Sequence, residues 1–474
     1  MKESPNQTTV LASAEDLRWR LPHDLHDRLT ESIYAEAARL AGRAVRREGP
    51  ATRLAWQQKL DRLLTHPLTA YPIMVLVLGA ILWLTIAGAN VPSRLLSTIL
   101  VEKGHAWLAQ AAQAMGWHPW IKGLLVDGMY LSTAWVVSVM LPPMAIFFPC
   151  FTLLEDFGFL PRVAFNLDRI FQKAGAHGKQ ALTMAMGLGC NAAGVVATRI
   201  IDSPRERLIA ILTNNFSLCN GRWPTQILMA TIFLGTMAPR GWGGTIATLA
   251  VLAVTLLGFG FALGSSWLLA RTVLRGEATS FSLELPPYRP PSFWRTLYTS
   301  LIDRTLIVLW RAVVFALPAG AVIWLVANIP CGSATLAHTV VAALDPPAWA
   351  MGLTGVVLLA YIVAIPANEI VVPTILMLTV LLTGQQALGA GAGVMFETDA
   401  VMVRQILVSA GWSPLTAICL MLFSLCHNPC STTLYTIRRE TGSWKWTALS
   451  ALLPLGIGIA VCVLTAAAWR ALVP

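Results

Sequence analysis

Four short polar words interrupt otherwise membrane-like sequence: Gly189-Cys190-Asn191, Cys219-Asn220-Gly221-Arg222, Asn368-Glu369 and Cys426-His427-Asn428-Pro429-Cys430. Thiol and imidazole suit borderline-soft transition metals, carboxylate adds charge neutralisation, and carbonyls freed by Gly and Pro can replace water around an ion. Polar groups at membrane depth are costly and face a bundle interior, a cavity or a pathway. Cys190, Asn191, Cys219, Glu369 and Cys430 are therefore candidate metal-contacting residues, with Cys426, His427 and Glu155 as weaker ones. Cys426 and Cys430 are spaced i, i+4, so a continuous helix would present both sulfurs on one face. Glu369 has no charged neighbour in "IPANEIVVPTILML"; either Arg222 or another distant cation pairs with it, or it serves a cation in transit. Arg222 could equally snorkel to the interface. An isolated Cys in an apolar helix is mostly a small hydrophobe, and Cys150, Cys331, Cys419 and Cys462 fall in that class.

The elements that must hold these words are membrane helices. Of 474 residues, 56% are hydrophobic and 12% charged, against about 25% charged in an ordinary soluble domain. Runs such as Ile73 to Ala89, Thr245 to Ala270, Thr305 to Ala327 and Ala448 to Ala468 reach the roughly 20 residues a span requires. They are continuously apolar rather than alternating, which favours helices over a barrel. The net charge of +10 comes from Lys and Arg flanking apolar runs, as the positive-inside rule predicts, so no nucleic-acid partner is implied. Trp107, Trp117, Trp120, Trp349, Trp444 and Trp446 near span ends fit an interfacial aromatic belt. Cysteines lying mostly in apolar runs do not make a disulfide scaffold. The N-terminus lacks a signal-peptide pattern, so the first span is expected to direct insertion.

Residues 1–66 carry nine acidic and eleven basic side chains and read as a cytoplasmic helical segment. Leu25, Leu29, Ile33, Ala37 and Leu40 share one face there, expected to pack on the rest of the protein rather than to lie on a membrane surface. A first membrane half follows at 67–270, a Pro-rich cytoplasmic linker at 271–304 and a second half at 305–474. Within the first half, "LPP" at Leu141 to Pro143 and then Pro149 predict a kink or break, and the run 207–234 should be re-entrant or broken in two. Leu317 and Pro318 follow Leu141 and Pro142 by 176 residues, and Glu369 follows Asn191 by 178. The word "FSLC" occurs in both halves. A repeat with discontinuous helices points to a transport site at the repeat interface. The expected fold is an all-α integral membrane protein, a polytopic bundle of about eight to ten membrane segments with two repeated gate halves and broken helices. Gly178-Lys179 lacks the surroundings of a Walker A motif, so a transporter is expected and not an enzyme.

The motifs "LLEDFGFLPRVAFNLDRI", "GLGCNAAGVVATRIIDSPRERL", "NNFSLCNGRW", "GEATSFSLELPPYRPPS", "PANEIVVPTI" and "NPCSTTLYTIRRETGSWKW", in this order, resemble the membrane region of the FeoB family of ferrous-iron transporters. "KLDRLLTHPLTAYPIMVLVLGAILWLTI" is similar to that family's approach to its first membrane helix. Residue by residue, Cys190 and Asn191 match the family's Gly-Cys-Asn, Cys219 its second gate cysteine, Glu369 its Lys-Glu and Cys430 its C-terminal Pro-Cys. The family's Pro-Phe-x-x-Cys-Gly-Ala-Arg stands here as "NFSLCNGR", Ala192 replaces Pro after Gly-Cys-Asn, and Asn368 replaces Lys. The resemblance implies Fe2+ transport across a bacterial inner membrane, with Fe2+ as substrate and no permanently bound cofactor. It implies a multi-pass protein with a cytoplasmic N-terminus. The partners it implies are the lipid bilayer, a small GTPase on a separate chain, a small cytoplasmic Feo-type accessory protein and a second copy of the chain. On this reading the segment at 25–66 is the remnant of a connector to a G domain. An ion-coupled carrier of an organic solute such as a nucleoside is the alternative, because the gate segments also resemble domains of that name. A non-transporting membrane subunit is the third reading.

Overall fold

Without water, backbone N–H and C=O groups in lipid must be bonded within the chain, so sequence this apolar crosses as helices. The computed structural model, which describes residues 25–44, 51–237, 239, 242–276, 292–332, 334–384, 394–396 and 400–472, is accordingly helical, with one two-stranded hairpin, Pro330–Cys331 paired to Ala334–Thr335. Six helices are long and apolar enough to cross a membrane: Leu68–Ala114, Pro119–Phe157, Gly243–Arg271, Phe293–Asn328, Pro414–Thr441 and Trp444–Leu472. The pair Leu336–Ala350 and Gly355–Val363, bent by 110°, passes the same test only when taken together, as a broken span or a re-entrant loop. The expected eight to ten segments include the broken stretches that lie between these. Trp107, Trp117, Trp120, Trp349 and Trp444 are exposed, as a belt residue must be. All eight cysteines are free.

The helix Leu131–Phe157 is the spine of the first half. It packs on the first membrane helix, Pro67–Leu96, and on Ile307–Asn328 of the second half. The approach to the latter is close at backbone level: a Cβ on Gly320 would collide with the Gly128 carbonyl and with Ser132. Pro142, Pro143 and Pro149 lie inside this helix, which runs on through them, so of the expected kink or break the break does not occur. Each proline removes its own hydrogen bond, and neighbouring helices pack on both sides of the segment.

The N-terminal helices differ from expectation too. Leu25–Ala44 is a helix, but Leu29, Ile33 and Leu40 are 54%, 59% and 54% exposed, so its apolar face is not packed against the described residues. The following helix, Ala51–Thr65, is anchored at its end. Buried Arg162 donates from Nε to Asp61 at 3.0 Å, Asn166 donates to the Leu64 carbonyl at 2.7 Å, and Leu64 is buried with Phe159, Leu160 and Val163. Residues 277–291 of the expected linker, with most of the "GEATSF" motif, and residues 1–24 lie outside the described residues. The end of that linker is already helical, because the helix of the second half starts at Phe293.

Candidate functional site

Each of the four polar words falls at an interruption of helix. Gln180–Gly189 stops at Cys190, which is extended (φ −153°, ψ 121°), and Asn191–Ala197 resumes. Pro204–Thr213 gives way to a short turn at Asn214–Phe216 and an irregular stretch before Trp223–Met229. Gly355–Val363 ends before the turn Asn368–Ile370, from which Val371–Thr383 departs. Pro414–Cys426 ends at His427, which is extended, and Ser431–Thr441 begins after Cys430. The run 207–234 is thus broken in two as the sequence predicts. The i, i+4 relation of Cys426 and Cys430 is not realised. Pro429 disfavours helix for Asn428 before it, so the helix ends between the two thiols; Cys426 is buried against Gly458 of the last helix.

The breaks are fastened to one another. The Asn220 N–H donates to the Gly189 carbonyl at 3.1 Å, and the Ser431 N–H donates to the Ile365 carbonyl at 3.0 Å. Asn214 Nδ2 donates to the Asn191 carbonyl at 2.9 Å. This approach explains the glycines of "MGLGCNAAGV". A Cβ on Gly187 would lie 2.9 Å from Asn214 Oδ1, and one on Gly194 would lie 2.7 Å from Asn214 Nδ2. Asn191 is committed to the same brace: its amide reaches Asn215 Oδ1 at 3.3 Å, and turned about it would donate to the Gly187 and Ser217 carbonyls.

Arg222 is the central brace. It is 1% exposed, so it does not snorkel. One guanidinium nitrogen donates to the carbonyls of Asn215 (3.0 Å) and Leu425 (2.8 Å). The other donates to Asn215 Oδ1 (2.9 Å) and the His427 and Asn428 carbonyls (3.2 and 3.4 Å). The second break of each half is thereby tied to the other, across some 200 residues of sequence. His427 closes the ring: its Nε2 is 3.1 Å from Asn368 Oδ1, and its ring packs edge-on to Tyr361 at 4.7 Å.

Cys219 and Cys430 lie within electrostatic reach of Glu369 and Arg222, and Cys190 within reach of those two thiols. Glu369 is accommodated by Gly221, whose missing Cβ would overlap the carboxylate. Among the described residues Glu369 forms no salt bridge; Arg222 acts on it as a nearby positive charge without direct contact. Cys430 Sγ lies 3.2 Å from Thr433 Oγ1. Among the described residues, no three His, Cys, Asp or Glu side chains are placed to hold a metal ion as a closed site. Two buried oxygens beside the first break, Asn214 Oδ1 and Ser217 Oγ, have no hydrogen-bond partner.

Cavities are strung along the spine helix. Leu131, Trp135, Ser138 and Val139 line an outer chamber of about 810 Å³. Trp135 and Val139 also line a chamber of about 200 Å³ containing Glu369. Pro143, Met144, Phe147 and Phe148 line a pinch of about 10 Å³ against Gly189 and Asn220. Phe148 and Glu155 line an inner chamber of about 720 Å³, whose walls include Ala192, Lys179, Arg199, Arg311, Arg439 and Glu440. At 1.5 Å per residue, Leu131 to Glu155 spans about 36 Å, close to a hydrocarbon core. Glu155 lines the inner chamber together with Ala192 and Ala193, just beyond Cys190 in sequence. At the inner mouth Arg199 and Arg207 clasp Glu440 at 2.6 and 2.8 Å, and the Lys179 ammonium beside Asp202 holds that carboxyl below the usual range. Phe147, Trp135 and the structural part of Arg222 went unread in the sequence; the Asn214-Asn215 pair, which interrupts an apolar run, is the signal there of this network.

Paired helix breaks meeting inside a polytopic bundle, with cavities approaching them from both ends, place the chain among polytopic membrane proteins of the broken-helix class. A family model described as "Gate: Nucleoside recognition" matches residues 137–234 and 309–444, one stretch in each half, and one described as "Ferrous iron transport protein B C terminus" matches 251–303. The chain belongs to the FeoB family and carries its gate-bearing membrane region. It is similar to the Fe(2+) transporter FeoB of Staphylococcus aureus, 28% identical over 414 residues that cover 84% of this chain and 57% of the relative. The FeoB of Methanocaldococcus jannaschii is 28% identical over 73% of this chain and 50% of its own length. A fusion of Fe(2+) transport protein A with FeoB from Porphyromonas gingivalis is 26% identical over 83% of this chain and 49% of its own length. The chain therefore spans about half the length of the curated relatives it matches. No solved structure matches it.

Proposed function

We propose that this protein is a permease moving Fe2+, or a related divalent transition metal, across the bacterial inner membrane along a path past Glu369, Cys219, Cys190 and Cys430. The observation that carries the reading is the file of four cavities along Leu131–Phe157, with Glu369 in one of them and Gly189 and Asn220, the chain neighbours of Cys190 and Cys219, at the narrowest. The chemistry follows from the donors. The Glu369 carboxylate balances the ion's charge as water is shed, carbonyls freed at the breaks replace that water, and sulfur favours a borderline-soft ion over Mg2+ or Ca2+. The absence of a closed three-ligand cluster among the described residues suits transit, because a site must bind weakly enough to release. Asn191 acts in this scheme by holding the first break in shape.

The inner chamber, rich in Lys and Arg, is placed on the cytoplasmic side by the positive-inside rule, with the Arg162-anchored N-terminal segment beside it. The N-terminus is then cytoplasmic. A Feo-type accessory protein is a partner, as the name of the Porphyromonas fusion protein suggests.

The test is anaerobic uptake of radioactive Fe2+ into proteoliposomes. Glu369→Gln and Cys190→Ser are expected to lower the initial rate by about tenfold or more, as loss of metal-contacting groups commonly does, with unchanged elution as folded protein. Rates equal to wild type in both variants would remove these residues from the path.

A further inference from the structure

We propose that the outer chamber is a collecting site for a hydrated divalent cation, in which Glu102 and the His105–Asp127 pair hold the ion through its water shell before it passes Trp135, Val139 and Phe396 to reach Glu369. The proposal rests on the transport reading above and assigns its first binding step. Three observations carry it.

The first is continuity. Trp135, Val139 and Phe396 line both the outer chamber and the Glu369 chamber, so these three side chains are the wall between them. The outer space, about 810 Å³, is some four times the inner, about 200 Å³. An ion can keep its water in the first and must begin to shed it for the second, where Glu369 is the only ionisable group in the lining.

The second is a polar stripe where lipid would forbid one. Asn90, Ser93 and Ser97 recur at spacings of three and four on the otherwise apolar first membrane helix, and all three line the chamber. Residues three and four apart share a helix face, and a polar face at this depth belongs to water rather than to acyl chains.

The third is charge. Glu102 lines the chamber and, among the described residues, has no salt-bridge partner. His105 Nε2 lies 2.7 Å from Asp127 Oδ1, which fixes the imidazole and places a second carboxylate behind it. Arg94, on the same helix eight residues before Glu102, also lines the chamber and offsets one of the two carboxylates, leaving the other shared with His105. No three ligands converge closely enough to grip a bare ion. Binding is therefore outer-sphere, weak and sensitive to salt, as suits a collecting site in a low-dielectric funnel.

The experiment is Mn2+ binding to the purified full chain, followed by the loss of the free Mn2+ paramagnetic signal at low ionic strength, alongside Fe2+ uptake. Wild type is expected to bind one weak Mn2+. The double variant Glu102→Gln/Asp127→Asn should weaken that binding by about fivefold or more through loss of the local field, and raise the half-saturating Fe2+ concentration for uptake. Glu102→Asp should restore most of the binding, which separates charge from misfolding. Glu369→Gln, blocked in uptake, should keep the weak Mn2+ site, because the site lies on the other side of the wall. Equal Mn2+ binding by wild type and the double variant would overturn the collecting site whatever uptake shows. Retained Mn2+ binding in a wild type that takes up no Fe2+ would support the site and count against the transport reading instead.

Discussion

Arg222→Ala is expected to be the most destabilising single substitution in the gate, by about 3–5 kcal/mol, the range for removing one partner of a buried charged network. The guanidinium supplies five hydrogen bonds to groups from both halves, four of them to backbone carbonyls. Those carbonyls are exposed by the helix breaks themselves, so truncation takes this donor from Asn215, Leu425 and Asn428 at about 1–3 kcal/mol each, while the His427 carbonyl keeps its bond from Asn215 Nδ2. Arg222→Lys should fall between wild type and alanine. An ammonium has three donors and no planar fork, so it cannot serve Asn215 and the His427 segment together. Thermal unfolding in detergent, read by loss of the monodisperse elution peak, should rank wild type above lysine and lysine above alanine. A lysine variant as stable as wild type would show that charge alone, without the forked geometry, holds the two halves.

That role of Arg222 marks where sequence reasoning stops. The four breaks were legible, because Cys-Asn, Asn-Gly-Arg, Asn-Glu and His-Asn-Pro inside apolar runs violate the composition of a membrane helix and have to be accommodated somewhere. Their partners were not legible. The acceptors of Arg222 are backbone carbonyls of Leu425, His427 and Asn428, and every residue has a carbonyl, so no side-chain pattern announces which will be left free. The i, i+4 spacing of Cys426 and Cys430 misled for the related reason that a spacing argument presumes helix, and Pro429 removes it. Proline misled in the other direction at Pro142, Pro143 and Pro149, where the expected break does not occur and neighbouring helices pack on both sides. The outer chamber shows a third limit. The wall joining the end of the first membrane helix to Glu369 depends on Trp135 and Phe396, which only folding brings together.

Gly189→Ala should jam the gate, and Phe147→Ala should release it. A Cβ on Gly189 would fall inside the Phe147 ring, not merely against its edge. The ring has little room to yield: it stacks on Phe151 with centroids 4.4 Å apart and meets Phe148 edge-on at 6.0 Å. Overpacking of this kind typically costs about 1–3 kcal/mol, and here the strain sits at the pinch between the Glu369 chamber and the inner chamber. Fe2+ uptake by Gly189→Ala should therefore fall well below wild type. Removing the Phe147 ring alone leaves a cavity at about 3–5 kcal/mol, but it also joins the pinch to its neighbours, so uptake should rise and ion discrimination should weaken. In the double variant the new methyl occupies part of the space the ring vacates. Its stability should exceed the sum of the single effects by a coupling of about 0.5–3 kcal/mol, the range for residues in direct contact, and uptake should recover from the Gly189→Ala level. Additive losses, or a double variant that stays blocked, would mean that Phe147 packs the bundle without closing the path.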